Sequence, residues 1–146
     1  MDRRWTFLLG LLALSGCQTG AEQQAQTDAR NAYNFLAGQG GTTLPIPPAP
    51  DQLSGRILTS GIYALGAADL AGSTALTLNG PGIFIFNVAS TLTMNTSSVV
   101  TGTANPCNVY WRVGTSATLS GYSFLGTVLA DVSVTVGGGN VFGRVV

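Results

Sequence analysis

The sequence has no lysine and no histidine, and charged residues make up 8% of its 146 positions, whereas an average soluble domain carries about 25%. The chain therefore lacks the basic field that attracts a nucleic acid, and we expect no nucleic-acid partner. Its acids lie singly, without a lysine or histidine beside them, which disfavours the clustered groups of a solenoid lyase or hydrolase. Arg112 and Asp131 could form a catalytic pair, but solvated or ion-paired surface groups are the simpler interpretation.

Hydrophobic residues, by contrast, make up 45% of the chain, and glycine occurs 20 times. This apolar fraction is too high for a disordered chain. Abundant glycine, threonine and serine with little charge suit a regular β architecture better than a helical bundle. The length predicts a single domain.

The first residues have the pattern of a targeting segment. Arg3 and Arg4 precede an apolar run at residues 7–14 that is too short to span a bilayer. The sequence LSGC that follows resembles a bacterial lipobox, so we expect residues 1–16 to be a lipoprotein signal peptide and Cys17 to be lipidated. Several acyl chains would give a stable membrane anchor. Gln18 follows the cysteine where an aspartate would otherwise stand, and this resembles the sorting signal of outer-membrane lipoproteins. We therefore expect an outer-membrane lipoprotein of the cell envelope. An ordinary secretory signal and a secreted protein are the alternative.

The second cysteine, Cys107, has no intramolecular partner if Cys17 carries a lipid. We then expect it to be a small buried apolar residue. If no lipid is added, a disulfide between Cys17 and Cys107 is the alternative.

An amphipathic helix is predicted directly after the signal. Ala25, Ala29, Ala32 and Leu36 recur at spacings of three and four, which indicates a helix over about residues 21–37. Gly38 is a suitable stop. A linker rich in glycine and proline follows over residues 38–52, and the mature domain is expected to cover residues 17–146, with β coils over 53–146.

Short strand pairs repeat through the second half of the chain. Segments with one threonine between two apolar residues begin at Leu76, Leu92, Ala117 and Val134. Each has a more apolar companion, namely IFIFNV, NVYWRV, FLGTVLA and NVFGRVV. If TGTANP (residues 101–106) is an inserted loop, the period is about 17 to 19 residues, which predicts a three-sided β-solenoid. Stretches such as SSVV and GYSF would form the third side.

Alternation along these strands assigns their faces. The apolar residues point inward, and the outward positions form two columns: Ala75, Thr91, Ser116 and Ser133, and beside them Thr77, Thr93, Thr118 and Thr135. The companion strands are apolar on both sides, which indicates cover on both sides. We therefore expect the helix to pack on the companion strands and the threonine face to stay bare.

The runs ARNAYNFLAG, LSGRILTSGIY, GIFIFNV, STLTM, CNVYWRVGTSATL, FLGTVLA and VFGR together resemble the ice-binding (antifreeze) β-solenoid family of cold-adapted microbes. The resemblance implies a right-handed β-helix of triangular section, one long helix alongside it, and a flat face that binds ice. It also implies no enzymatic activity and no cofactor. Family members carry strands before the helix and continue past VFGR, so we expect a version shortened at both ends.

A flat grid of hydroxyl and methyl groups is what such a face needs. Outward residues repeat about every 6.6 Å along a strand and about every 4.8 Å between strands, and the resemblance implies that this grid approximates repeats in ice. The expected ice-binding residues are Thr77, Thr91, Thr93, Ser116, Thr118, Ser133 and Thr135. Threonine is also simply a good strand former, and another side of the solenoid could be the binding face. The alternative function is a lipid-anchored surface module for structure or adhesion that no longer binds ice.

Overall fold

The computed structural model describes residues 20–44 and 52–146. The chain divides into two compact units, Met1–Ala32 and Tyr33–Val146. Helix α1 spans Gly20–Ala37, so it begins in the first unit and ends in the second. Within the first unit the Gln24 side chain donates to the Asp28 carboxylate one turn later, at 2.8 Å. The signal peptide and lipidated Cys17 expected from the sequence lie outside the described residues.

The second unit is built from short strands. In chain order they are β1 Thr42–Thr43, β2 Ile57–Leu58, β3 Gly61–Leu65, β4 Ala68–Leu70, β5 Leu76–Leu78, β6 Phe84–Val88, β7 Leu92–Met94, β8 Val100–Gly102, β9 Val109–Val113, β10 Ser116–Leu119, β11 Ser123–Ala130, β12 Ser133–Val136 and β13 Asn140–Val145. A 3-10 turn, Pro106–Asn108, lies between β8 and β9.

These strands form three sheets in which every pair is parallel. The six-stranded sheet has the order β1-β3-β6-β9-β11-β13, the four-stranded sheet β12-β10-β7-β4, and the three-stranded sheet β2-β5-β8. From β2 onward the chain visits the three-stranded, six-stranded and four-stranded sheets in turn, three times over, up to β10. The expected mainly β fold with one helix and parallel sheets is confirmed. The handedness and the triangular section stay predictions.

A coil is one passage of the chain through the three sheets, and two coils are longer in the structure than the sequence predicted. Along the four-stranded sheet Ala68 pairs with Leu92, Leu92 with Ala117, and Ala117 with Val134. The first two coils therefore take 24 and 25 residues, and only the last takes 17. The reading of residues 101–106 as an inserted loop was wrong, because Val100–Gly102 is a strand of the three-stranded sheet.

The last coils are shorter because β11 replaces two strands. Its first residue, Ser123, bridges Val99 beside the three-stranded sheet, and its later residues Thr127 to Ala130 pair with β9 in the six-stranded sheet. Gly126 lies between these two parts with φ +121°. A left-handed φ of this kind is readily adopted only by glycine, so this glycine lets one strand serve both positions.

The core lies between the three sheets and is filled from every coil. Leu76, Leu92 and Leu119 are almost fully buried, as the alternating pattern predicts. Aromatic rings contact one another across successive strands of the six-stranded sheet. Phe86 and Trp111 stack with centroids 3.9 Å apart, and Phe124 lies tilted against Trp111 with centroids 5.2 Å apart. The Trp111 indole N–H donates to the Leu125 carbonyl at 2.9 Å, so the buried ring leaves no donor unpaired.

The other face of the six-stranded sheet is covered where α1 ends. Leu36 packs against Ile85 and Leu129 in a small second cluster, which Tyr33 and Tyr110 also join. This agrees with the expectation that the helix covers the companion strands, as far as its residues in the second unit are concerned. The six-stranded sheet is therefore apolar on both faces here, and this face is not available to a flat external ligand.

Candidate functional site

The outward face of the four-stranded sheet carries a column of threonines in register. Thr93 of β7 pairs with Thr118 of β10, and Thr118 pairs with Thr135 of β12. We call these three residues the central column. Neighbouring parallel strands lie about 4.8 Å apart, so the column presents one hydroxyl and one methyl group at each strand spacing.

A second row runs beside the central column, two residues earlier on each strand. Ser116 pairs with Ser133, and Thr91 precedes β7 at the equivalent position. The Ser133 hydroxyl donates to the Ser116 oxygen at 3.0 Å. This bond fixes the two serines relative to each other. The register therefore brings together six of the seven ice-binding residues that were predicted from the sequence.

The central column is open to solvent over a buried layer. Thr93, Thr118 and Thr135 are exposed, whereas the flanking Leu92 and Leu119 are 0% and 1% exposed. Within the described residues, no protein group hydrogen-bonds to the three hydroxyls of the column. Each hydroxyl can therefore both donate to and accept from external water, while its methyl group limits free hydration.

Thr77 does not belong to this face, so its place in the threonine column was wrong. It lies on β5, which pairs with β2 and β8 of the three-stranded sheet, and its register partners are Ile57 and Thr101. Ala75 leaves the second row for the same reason, since it directly precedes β5. Apolar–Thr–apolar segments occur on two different sheets, and the short period assumed from the sequence wrongly assigned all of them to one face.

The residue that occupies the first position of the column is Asp69. It lies on β4, pairs with Thr93, and forms a bridge to Gln52 on its other side. Sequence reasoning missed this strand because its outward residue is an aspartate. The signal was present, since Ala68–Leu70 has the same apolar–polar–apolar pattern one coil before Leu92.

Two further hydroxyls adjoin the face, one directly before the outward residue that precedes β7 and one directly before β10. Thr115 and Ser90 are exposed, and the Thr115 amide donates to the Ser90 carbonyl at 3.0 Å. They directly precede Ser116 and Thr91. The recurring pairs Ser90-Thr91 and Thr115-Ser116 were the sequence signal for this additional row.

The opposite corner of the face is held by side chains from successive coils. The Asn95 amide donates to the Ala71 carbonyl, and the buried Ser98 hydroxyl donates to the Asn95 side chain at 2.6 Å. In the next coil Gly121 packs so closely that an added Cβ would lie 2.4 Å from the Ser98 carbonyl oxygen. These contacts fix the spacing of the strands that carry the threonines.

The three-stranded sheet offers a smaller and less regular surface. Its outward column is Ile57, Thr77 and Thr101. Ile57 is 71% exposed and carries no hydroxyl. The Thr103 hydroxyl beyond β8 accepts a bond from the Gly80 amide at 2.8 Å, so part of its hydrogen-bonding capacity is used within the protein.

Arg112 does not serve as a solvated surface group. Its guanidinium donates to the Asn87 side-chain oxygen and to the Val88 carbonyl, each at 3.2 Å, and lies 4.8 Å from the centre of the Tyr33 ring. These contacts belong to the junction between α1 and the six-stranded sheet. They give Arg112 a structural role and leave the catalytic interpretation without support.

Cys107 corrects a further expectation, because it is exposed rather than buried and has a free thiol. It lies in the 3-10 turn Pro106–Asn108, where its amide donates to the Asn105 side chain at 2.9 Å. Across residues 20–44 and 52–146, no cluster of three or more His, Cys, Asp or Glu side chains could hold a metal ion. In the same residues, no helix has both the length and the apolarity needed to cross a membrane.

Comparison with known proteins agrees with this architecture. A model of the family described as Ice-binding-like matches residues 14–146. The chain belongs to the ice-binding-like family. It is 39% identical over 124 residues to an ice-binding protein of Nostoc sp. strain HG1, covering 77% of this chain and 43% of that protein. It is 34% identical over 134 residues to ice-binding protein 1 of Shewanella frigidimarina, covering 83% of this chain and 15% of that protein.

Solved structures of ice-binding proteins share the fold. The protein from the Antarctic ascomycete Antarctomyces psychrotrophicus gives a TM-score of 0.61 at 26% identity, over 88% of this chain and 71% of that one. A domain of the Shewanella frigidimarina protein gives 0.59 at 28% identity, over 85% of this chain and 59% of that one. The chain thus spans less than half the length of the two curated family relatives.

Proposed function

We propose that this protein binds ice through the outward face of the four-stranded sheet and thereby curbs ice growth or recrystallisation. The observation that carries the proposal is the register of Thr93, Thr118 and Thr135, whose exposed hydroxyls have no protein partner among the described residues. The second row, Thr91, Ser116 and Ser133, widens the contact. Membership of the ice-binding-like family supports ice as the ligand.

The physical mechanism follows from the side chain that repeats. A threonine hydroxyl joins a water network as donor and acceptor, and its methyl group favours ordering of the water above it. The branched Cβ restricts χ1, so both groups stay in register from strand to strand. Each contact is weak, and adsorption therefore depends on the number of strands that touch the crystal at once.

The four-stranded sheet suits this role better than the other two. The six-stranded sheet is covered in part by Tyr33 and Leu36. The three-stranded sheet places exposed Ile57 in its outward column. Ice offers neither charge nor a pocket, so the widest hydroxyl-bearing face that is free of cover is the surface that fits it.

Residues 1–17 supply the second part of the proposal. A lipid on Cys17 would anchor the protein in the outer membrane and hold the cell close to ice. We also propose that the three sheets wind as a right-handed coil of triangular section, as the family resemblance implies. The protein would then act by adsorption alone, without catalysis.

Replacement of Thr93 and Thr118 by arginine tests the binding face. Two long charged side chains would hold the crystal away from the sheet, so we expect most of the thermal hysteresis to be lost while the melting temperature by circular dichroism stays close to wild type. Arginine at Thr101, an exposed threonine of the three-stranded sheet, is the matched control for added charge and bulk. Unchanged hysteresis in the folded double variant would remove this face from consideration.

A further inference from the structure

We propose that Asp69 sets the limit of the ice-contacting surface at its β4 end. The inference rests on the proposed function and identifies the residue that restricts it. Contact would then be confined to β7, β10 and β12, although the sheet continues to β4 and, through the Gln52 bridge, one position beyond.

The position of Asp69 follows from the register. It pairs directly with Thr93, so its carboxylate occupies the place of a fourth threonine in the central column. Its neighbours Ala68 and Leu70 are buried, and Asp69 itself is half-buried, as is expected for an outward residue between two inward ones.

The residues that flank β4 supply no hydroxyl either. The outward positions on either side of Asp69 are Ala67 and Ala71, at the levels where the next strand has Thr91 and Asn95. The two rows of hydroxyls that run over β7, β10 and β12 therefore both end at β4. Ala67 ends the second row at the same strand at which Asp69 ends the central column, and this marks β4 as the boundary of the array.

The charge makes the boundary sharp. Moving a carboxylate out of water without a compensating partner is far more costly than moving a hydroxyl. Among the described residues, no side chain forms a hydrogen bond or ion pair with the Asp69 carboxylate. Its hydration shell must therefore be kept, and a growing crystal plane cannot close over β4 while the charge is present.

Substitution of Asp69 by threonine is the direct test. Asp69→Thr extends the central column from three strands to four, so we expect the hysteresis to rise by roughly a third if activity follows contact area. Asp69→Asn removes the charge in the same shape and should give a smaller rise. Asp28→Asn removes the same charge on α1 and should leave the hysteresis at the wild-type value.

The outcomes separate this inference from the proposed function. A rise in both Asp69 variants supports the boundary. Wild-type hysteresis with no rise in either folded variant overturns the inference and leaves the threonine face standing. If Asp69→Thr melts early, Asp69→Asn decides by the same criterion. A wild-type protein without hysteresis or crystal shaping overturns both proposals.

Discussion

At the scale of single residues, the Asn87 side chain joins the end of α1 to the six-stranded sheet. The Asn87 amide donates to the Leu36 and Ala37 carbonyls at 3.0 and 3.1 Å. Carbonyls at the end of a helix have no partner within the helix, so Asn87 caps α1 from a neighbouring strand. Its oxygen accepts from Arg112, which stacks on Tyr33. One buried amide thus links the helix end, the sheet and a cation.

Replacement of Asn87 by alanine should lower the free energy of unfolding by about 1–3 kcal/mol, because the Ala37 carbonyl and the Arg112 guanidinium each lose a hydrogen-bond partner. Urea unfolding followed by circular dichroism measures the change. Asn34→Ala, at an exposed position of the same helix, is the control and should stay within about 0.5 kcal/mol. Equal stability of the two variants would contradict a capping role for Asn87.

Some residues of the candidate site could be predicted from the sequence and others could not. Thr93, Thr118 and Thr135 could be predicted because alternation along a strand fixes which residues point outward. Asp69 could not be identified by searching for threonine. Cys107 is exposed in a 3-10 turn, which the apolar pattern of the neighbouring strands does not reveal.

At the scale of elements, strand β11 explains the change in coil length. It begins beside the three-stranded sheet, turns at Gly126 and continues in the six-stranded sheet. An added Cβ at Gly126 would lie 2.8 Å from the Val109 carbonyl oxygen. The position therefore requires glycine both for its φ and for the close approach of β9.

Gly126→Ala should destabilise the fold by about 1–3 kcal/mol from the backbone conformation alone, and the contact with Val109 adds to this. Thermal unfolding followed by circular dichroism would show the loss. Gly138→Ala is the matched control, because nothing lies within 4 Å of an added Cβ there. A Gly126→Ala variant as stable as the control would mean that β11 does not need this bend.

The apolar–Thr–apolar pattern alone was not enough to assign each strand to its sheet. The four companion strands share one sheet, as their sequences predicted. The four threonine segments do not, because β5 belongs to the three-stranded sheet. An apolar–Thr–apolar triplet has the same pattern on either sheet, and only its pairing partners distinguish the two. Coil length therefore has to be known before residues can be assigned to a column.

At the scale of the whole molecule, the low charge of the sequence agrees with a surface that exposes hydroxyl groups. A chain with no lysine or histidine and a net charge of zero exposes hydroxyls where most proteins expose charge. The mainly β class with parallel sheets and one helix, and the family resemblance, followed from the sequence and were confirmed, whereas the right-handed triangular section stays a prediction. The order of the strands within each sheet required the structure, because it depends on contacts between residues that are distant in the chain.

The central claim is that the threonine column on the four-stranded sheet holds the protein on ice. Partition of the protein into a slowly growing ice mass, measured by tryptophan fluorescence of the melted ice and of the remaining liquid, tests it most directly. We expect wild type and Thr101→Arg to enter the ice and the Thr93→Arg, Thr118→Arg double variant to stay in the liquid. Uptake of the folded double variant equal to wild type, or exclusion of wild type, would contradict the account.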